Sequence, residues 1–245
     1  MMAMNEYTIA LAGNPNTGKS TLFNVLTGLR QHTGNWPGKT VVHAEGFFTY
    51  NNNRYRMIDL PGTYSLYSNS ADEEVARDFI IFEKPDITIV VLDATALERN
   101  LNLALQVLEM TSNVIVCVNL MDEAKKKGIR IDTKKLAATL GVPVIPISAR
   151  NKEGIDTLLK TIDSMVLGKI KTNPITVRYS PEIEQCIEKL IPRVKEVIGD
   201  AYPARWVALR LLDGDMSLLR AFQQQPLPSV KEVSIYACHG PAKSI

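Results

Sequence analysis

One octapeptide constrains this chain more than any other feature: Gly13-Asn14-Pro15-Asn16-Thr17-Gly18-Lys19-Ser20. It matches the G-x-x-x-x-G-K-[ST] phosphate loop and lies between a β-like run, Thr8–Ala12, and a helical stretch, Lys19–Thr27. That context gives the motif its meaning. Glycines let the backbone turn tightly, so N–H groups at a helix N-terminus face a phosphate. Lys19 is expected to reach the β- and γ-phosphates, and Ser20 to give its hydroxyl to Mg²⁺. Asn14, Pro15, Asn16, Thr17, Gly18 and Thr21 complete the expected cradle.

The rest of the first two-thirds alternates β-like runs with amphipathic stretches. After Thr8–Ala12 come Gly46–Tyr50, Tyr55–Asp59, Ile87–Asp93, Val114–Asn119 and Val144–Ser148, with helices at Ala71–Phe82, Leu97–Met110, Thr133–Leu140 and Ile155–Leu167. This pattern predicts an α/β fold with a mostly parallel six-stranded sheet covered by helices. An Asn-rich turn at Asn51–Asn53 predicts an antiparallel hairpin. Asp132 is placed to cap the fourth helix and Gly141 to stop it. Beyond Gly168 the composition shifts to helical stretches, Ser180–Ile198, Pro203–Leu212 and Met216–Gln225. A nucleotide-binding domain over 1–170 and a small all-helical domain with a tail over 171–245 follow. A net charge of +2 argues against a nucleic-acid partner. The longest apolar runs are too short to cross a bilayer, and Met1–Tyr7 lacks the progression of a signal peptide. Three scattered cysteines, Cys117, Cys186 and Cys238, fit a reducing cytoplasm.

Three further motifs select the nucleotide. Asp59-Leu60-Pro61-Gly62 ends a strand, where Asp59 can hold Mg²⁺ through water and the Gly62 N–H can meet a γ-phosphate. Asn119-Leu120-Met121-Asp122 ends another. An Asp122 carboxylate can accept from guanine N1–H and its exocyclic amine; adenine lacks that donor pair and would leave the carboxylate unpaired. Asn119 is expected to brace the base and the phosphate loop. Ser148-Ala149-Arg150 closes the last strand, where the Ala149 N–H can meet guanine O6.

Taken in this order, the motifs resemble the small-GTPase superfamily represented by Ras over roughly Glu6–Gly168. Ras-type proteins follow Asp-x-x-Gly with a glutamine that orients the attacking water, whereas this chain has Thr63 and Tyr64. Slow intrinsic turnover is expected, with the water-positioning group unassigned.

Gly34-Asn35-Trp36-Pro37-Gly38-Lys39-Thr40-Val41, taken with Asp-Leu-Pro-Gly-Thr-Tyr-Ser and the other motifs, resembles the ferrous iron transport protein B family. The resemblance implies a Ras-like domain hydrolysing GTP to GDP, followed by a helical domain. Further implied are a membrane-spanning portion moving Fe²⁺ and a place on the cytoplasmic side of a prokaryotic inner membrane. It further implies stimulation by K⁺, held by Asn16 and the carbonyls of Gly34 and Trp36. Thr40 is the candidate switch threonine, giving its hydroxyl to Mg²⁺ and its N–H to the γ-phosphate; Lys39 departs from the uncharged residue often found there. Asn16, Lys19 and Thr40 are thus the expected catalytic residues. Glu73, Glu74, Arg77 and Asp78 either couple the second switch to the helical domain or form a solvated helix face. A homo-oligomer, an RNA-associated GTPase and a nucleotide-sensing switch acting on a partner protein stay open as alternatives.

Overall fold

A computed structural model describes residues 5–28, 31–36, 41–67 and 70–224. Seven strands form its sheet: β1 (Glu6–Gly13), β2 (Gln31–Asn35), β3 (Val42–Tyr50), β4 (Asn53–Asp59), β5 (Ile87–Asp93), β6 (Val114–Asn119) and β7 (Val144–Pro146). Their order is β2-β3-β4-β1-β5-β6-β7. The pairs from β4 through β7 are parallel, while β2–β3 and β3–β4 are antiparallel. The expected hairpin is present, turning at Asn51 and Asn52, both with positive φ. Seven strands replace the six expected. The additional one, Gln31–Asn35, has no apolar alternation to announce it and exists by pairing with β3.

Parallel strands buried on both faces read as continuous apolar runs. Accordingly Ile87, Ile89, Val90, Val91 and Leu92 of β5, and Val114 to Val118 of β6, are fully buried. Ile9, Leu11, Ile89, Val91, Ile115 and Cys117 share one cluster with Leu22 and Phe23 of α1 (Lys19–Thr27) and Leu158 and Ile162 of α6 (Ile155–Val166). Burial pushes the Cys117 thiol far up, so it packs as an inert apolar group.

α2 (Ala71–Asp78) starts at Ser70, whose side chain accepts from Glu73 N–H, and runs on as a π-helical turn over Phe79–Glu83. α3 (Leu97–Met110) and the short α4 (Met121–Lys126) follow. In α5 (Thr133–Leu140) Asp132 Oδ1 accepts from Lys135 N–H at 2.9 Å, and Gly141 ends the helix with φ 72°, as the sequence predicts. Arg77 is no solvated residue: it is 1% exposed and donates from Nε and Nη2 to Asp78 Oδ1 at 2.8 and 2.6 Å.

The chain divides into two compact units after Thr176. Residues past 170 stay with the first unit because Asn173 and Ile175 donate backbone bonds of 2.9 Å to Gly141 and Leu140. The second unit is helical: α7 (Pro181–Ile198), α8 (Ala204–Leu212) and α9 (Met216–Gln223). Ile187, Val194, Trp206, Leu218 and Phe222 are buried, and Arg205 forks onto Glu184 with two bonds of 2.8 Å. Ser180 holds the N-cap position of α7 with Pro181 at N1, yet its side chain makes no cap bond. Cys238 lies outside the described residues, and no helix among those described is long and apolar enough to cross a membrane.

Candidate functional site

The parallel strands deliver their C-terminal ends to one edge of the sheet, and the predicted motifs hang there. β1 ends at Gly13, where a Cβ would press within 2.8 Å of the Val91 carbonyl oxygen of β5. Asn16 and Gly18 then take left-handed φ of 65° and 80°, the first in a residue type that tolerates it. Thr17 Oγ1 donates to the Asn14 carbonyl at 3.0 Å. No side chain caps α1 and no acid stands in its first turn, so its N–H groups and positive dipole end are open to an anion. The buried Asn14 amide has no hydrogen-bond partner among the described residues, which also fits a polar group placed in this cradle.

Asp59, at the end of β4, is paired in register with Leu11 of β1. Leu60 and Thr63 donate backbone N–H groups to Leu11 and Gly13, at 3.0 and 3.3 Å, and this lays Gly62 against Pro15. Lys19, only 9% exposed, is ion-paired with Asp59 and donates to the Leu60 carbonyl at 2.6 Å. Burial raises the Asp59 carboxyl above its ordinary value, with Lys19 opposing. Ser20 is exposed beside Lys19, and Thr21 next to it. A hydroxyl and a carboxylate are the oxygen ligands that Mg²⁺ prefers. The third expected Mg²⁺ residue, Thr40, lies outside the described residues, as do Gly38 and Lys39.

Asn119 joins three of the motifs. Its Nδ2 donates to the Thr17 carbonyl at 2.9 Å, and its Oδ1 accepts from the Ala149 N–H at 3.0 Å. Gly18 makes this approach possible, because a Cβ there would overlap Asn119 Nδ2. The Ala149 N–H, expected on guanine O6, is therefore already engaged by Asn119, and a base oxygen would share it. Leu120 follows with φ 61°, an uncommon conformation for a leucine and one that is stored at functional turns. It turns the chain so that Met121 N–H meets the Ile147 carbonyl at 3.3 Å and Asp122 accepts from Ser148 Oγ at 2.9 Å. That bond holds the Asp122 carboxyl below its usual range and hence ionised. Arg150 is exposed beside them.

Gly34 and Trp36 are placed differently from the loop expected. Gly34 sits in β2 opposite His43, and Trp36 N–H donates to the Val41 carbonyl at 2.8 Å. β3 and β4 stand between β2 and β1, about 14 Å at ordinary strand spacing. Gly34 is thus held in the β2 ladder and Trp36 at its end, while Asn16 is exposed on the phosphate loop. Instead the Trp36 ring packs on His43 (5.0 Å between centroids) and edge-on to Phe79 of the π-turn (5.3 Å). Phe79, and Gln106 on α3, whose Oε1 accepts from Leu66 N–H at 2.7 Å, were not legible from the sequence as parts of the site, while His43, expected at the surface beside the switch, is half-buried against Trp36. Neither Phe79 nor Gln106 carries a motif, and the place of Phe79 depends on the unforeseen π-turn.

Comparison with known proteins agrees with this geometry. Residues 7–162 match the family profile of ferrous iron transport protein B, and residues 179–236 match that of the FeoB cytosolic helical domain. The Fe(2+) transporter FeoB of Methanocaldococcus jannaschii is 50% identical over 213 residues, covering 86% of this chain and 31% of that protein. The crystal structure of the cytosolic domain of the T. maritima FeoB iron transporter, in a GDP form, superposes with a TM-score of 0.82 at 37% identity. It covers 94% of this chain and 89% of its own. The FeoB G-domain from Methanococcus jannaschii gives a TM-score of 0.60 at 52% identity, covering 67% of this chain and 99% of its own. The chain spans 26–31% of the length of the curated relatives it matches.

Proposed function

The chain belongs to the ferrous iron transport protein B family, and from that premise we propose that its first unit binds guanine nucleotide with Mg²⁺ and slowly hydrolyses GTP. In this reading it regulates Fe²⁺ passage through a membrane portion of the same transporter, from that membrane's cytoplasmic side. The observation that carries the proposal is Asn119, which ties the phosphate loop to the Ser148–Ala149 turn while Ser148 keeps Asp122 ionised. Phosphate and base recognition are thereby built on one set of hydrogen bonds.

Lys19 supplies the cation for the β- and γ-phosphate oxygens, exchanging Asp59 and the Leu60 carbonyl for them. The phosphate-loop N–H groups and the start of α1 add fixed dipoles aimed at the same charge. Ser20, Thr40 and Asp59 would hold Mg²⁺, which when bound neutralises the charge shared by the β- and γ-phosphates. Asp122 accepts from the two guanine donors, with Asn119, Met121, Ala149 and Arg150 around the base. Neither Thr63 nor Tyr64 offers a glutamine-like amide to a water: Thr63 is buried, and Tyr64 lies under the Arg99 guanidinium. Slow turnover follows.

Asn16 is the side chain proposed to hold K⁺, which beside the phosphates would add the charge that an arginine supplies in other GTPases. Bringing the Gly34 and Trp36 carbonyls to it requires β2 to exchange its pairing with β3 for the phosphate loop. Steady-state GTP hydrolysis in matched KCl and NaCl, with Asn16→Ala as control, tests this. Faster turnover in KCl that Asn16→Ala abolishes is expected; equal rates in both salts remove the potassium step. Asp122→Ala should weaken GTP about 100-fold, from the loss of two charge-assisted hydrogen bonds. An unchanged preference for GTP over ATP would overturn the guanine assignment.

A further inference from the structure

The chain's positive charge is concentrated beside the base-recognition motif. Six of its 28 basic residues and three of its 26 acidic ones fall within residues 121–135, leaving 22 against 23 elsewhere. Lys125 and Lys126 end α4, Lys127 caps it, and Arg130, Lys134 and Lys135 follow on the connection and the first turn of α5. All six are exposed. Backbone bonds from Lys127, Gly128 and Ile129 to Glu123, Lys125 and Ala124 close the end of α4, and Asp132 caps α5 two residues after Arg130, so the six charges lie on one short exposed segment.

The three acids of the segment do little to neutralise it. Asp122 is engaged by Ser148, Asp132 caps α5, and Glu123 pairs with Lys126 at 2.8 Å. Among the described residues, no ion pair engages Lys125, Lys127, Arg130, Lys134 or Lys135. Arg150, exposed on the Ser148–Arg150 turn, adds a further positive charge that opposes Lys126. On the same segment as the lysines, Ile129 is 37% exposed. Lysines and an arginine flanking an exposed aliphatic side chain match an anionic bilayer surface, where the charges meet phosphate headgroups and the apolar group enters the interface.

We infer that the surface formed by Lys125, Lys127, Arg130, Lys134 and Lys135 around Ile129 docks this unit on anionic lipid headgroups. The inference rests on the reading that the unit works beside a membrane portion of its transporter. Since Asp122 stands in the first turn of α4, docking would bear on the residue that holds the base, so lipid contact and nucleotide exchange would be linked.

Sedimentation of the chain with phosphatidylcholine vesicles, with and without phosphatidylglycerol, is the test, at low and at physiological ionic strength. Sedimentation with the anionic vesicles only, weakened by salt, is expected. The variant Lys125→Glu/Lys127→Glu/Arg130→Glu should lose binding by at least about fivefold per altered charge. Lys160→Glu/Lys171→Glu/Lys189→Glu changes the net charge equally at other exposed positions and should retain most of the binding. Equal binding to neutral and anionic vesicles, or equal losses in the two variants, would overturn the surface. So would binding to heparin without any binding to vesicles. GTP affinity measured on the same preparations separates the two readings: nucleotide binding without vesicle binding sinks the docking surface alone.

Discussion

Asn119→Ala is the substitution whose cost can be worked most directly from the structure. Asn119 is 1% exposed and makes one bond to the Thr17 carbonyl at 2.9 Å and one from the Ala149 N–H at 3.0 Å. Thr17 and Ala149 are themselves buried, so alanine would leave a buried acceptor and a buried donor unpaired. Each such group costs ~1–3 kcal/mol, and water entering the space left by the amide recovers part of it. The expected loss is about 2–4 kcal/mol for the nucleotide-free first unit. Native-state hydrogen exchange of the β1 and β6 amides reads it as a fall in protection of roughly 30- to 1,000-fold. Gly18→Ala provides the cross-check. Alone it incurs about 1–2 kcal/mol for its left-handed backbone plus the overlap of its new Cβ with Asn119 Nδ2. In the Asn119→Ala background the overlap is gone and only the backbone cost remains, so the pair must be non-additive. A loss below about 0.5 kcal/mol for Asn119→Ala, or strict additivity of the two, would refute the argument that this amide joins the motifs.

Two further expectations concern pH. Burial pushes the Asp163 carboxyl up, but bonds from Asn51 (3.1 Å), Tyr55 (2.9 Å) and Asn53 (3.2 Å) outweigh it and hold the group below its usual range. Its contribution is full above the unfolded value of ~3.9 and is lost as pH falls through the folded value, so Asp163→Asn should cost about 1–3 kcal/mol at pH 7 and progressively less in acid. Urea unfolding from pH 7 to pH 3 checks this, and a pH-independent cost would contradict it. In the second unit the Arg205 fork, with the Tyr179 N–H, holds Glu184 down to about 2. That contribution is full above ~4.3 and disappears as pH falls toward about 2, so Glu184→Gln should flatten the acid dependence of Trp206 fluorescence in that window.

What was legible in the sequence, and what was not, divides along physical lines. β5 and β6 announced themselves because strands buried on both faces must be apolar throughout, and Asp132 and Gly141 did so because caps are local chemistry. β2 did not: Gln31-His32-Thr33-Gly34-Asn35 is polar, and only its ladder to β3 makes it a strand. β3 begins at Val42 rather than Gly46, its early residues held by cross-strand pairs such as Glu45 with Arg56 at 2.9 and 3.0 Å. α4 was missed because six residues are too few for a 3.6-residue period to emerge. The π-turn at Phe79–Glu83 reads as plain helix, since its apolar run satisfies either period. In the site, residue types and spacing pointed to Lys19, Asp59, Asn119 and Asp122, but not to the bonds that join them. Asn119 touching both Thr17 and Ala149 depends on three chain segments, 102 and 30 residues apart in sequence, meeting at one sheet edge.

These placements also bound what it would take to operate the proposed switch. With β2 zipped to β3, Gly34 and Trp36 are held by a five-residue ladder, the Trp36–Val41 bond and the ring contacts with His43 and Phe79. Net contributions of ~0.5–1.5 kcal/mol per hydrogen bond or ring pair put the zipped state several kcal/mol below an unzipped one. Two buried nitrogens, Trp36 Nε1 and His43 Nδ1, have no partner among the described residues, and their rehydration on unzipping offsets part of that. Moving a two-state element from 1:99 to 99:1 takes about 5.5 kcal/mol of differential binding. In the proposed switch Thr40 would offer new ligands to Mg²⁺ and the γ-phosphate, and Gly34 and Trp36 would offer them to K⁺, so that differential binding would be shared between the two cations. The zipped arrangement should therefore yield only when nucleotide and cations act at once, which would make a GDP-bound chain the natural holder of β2 as a strand.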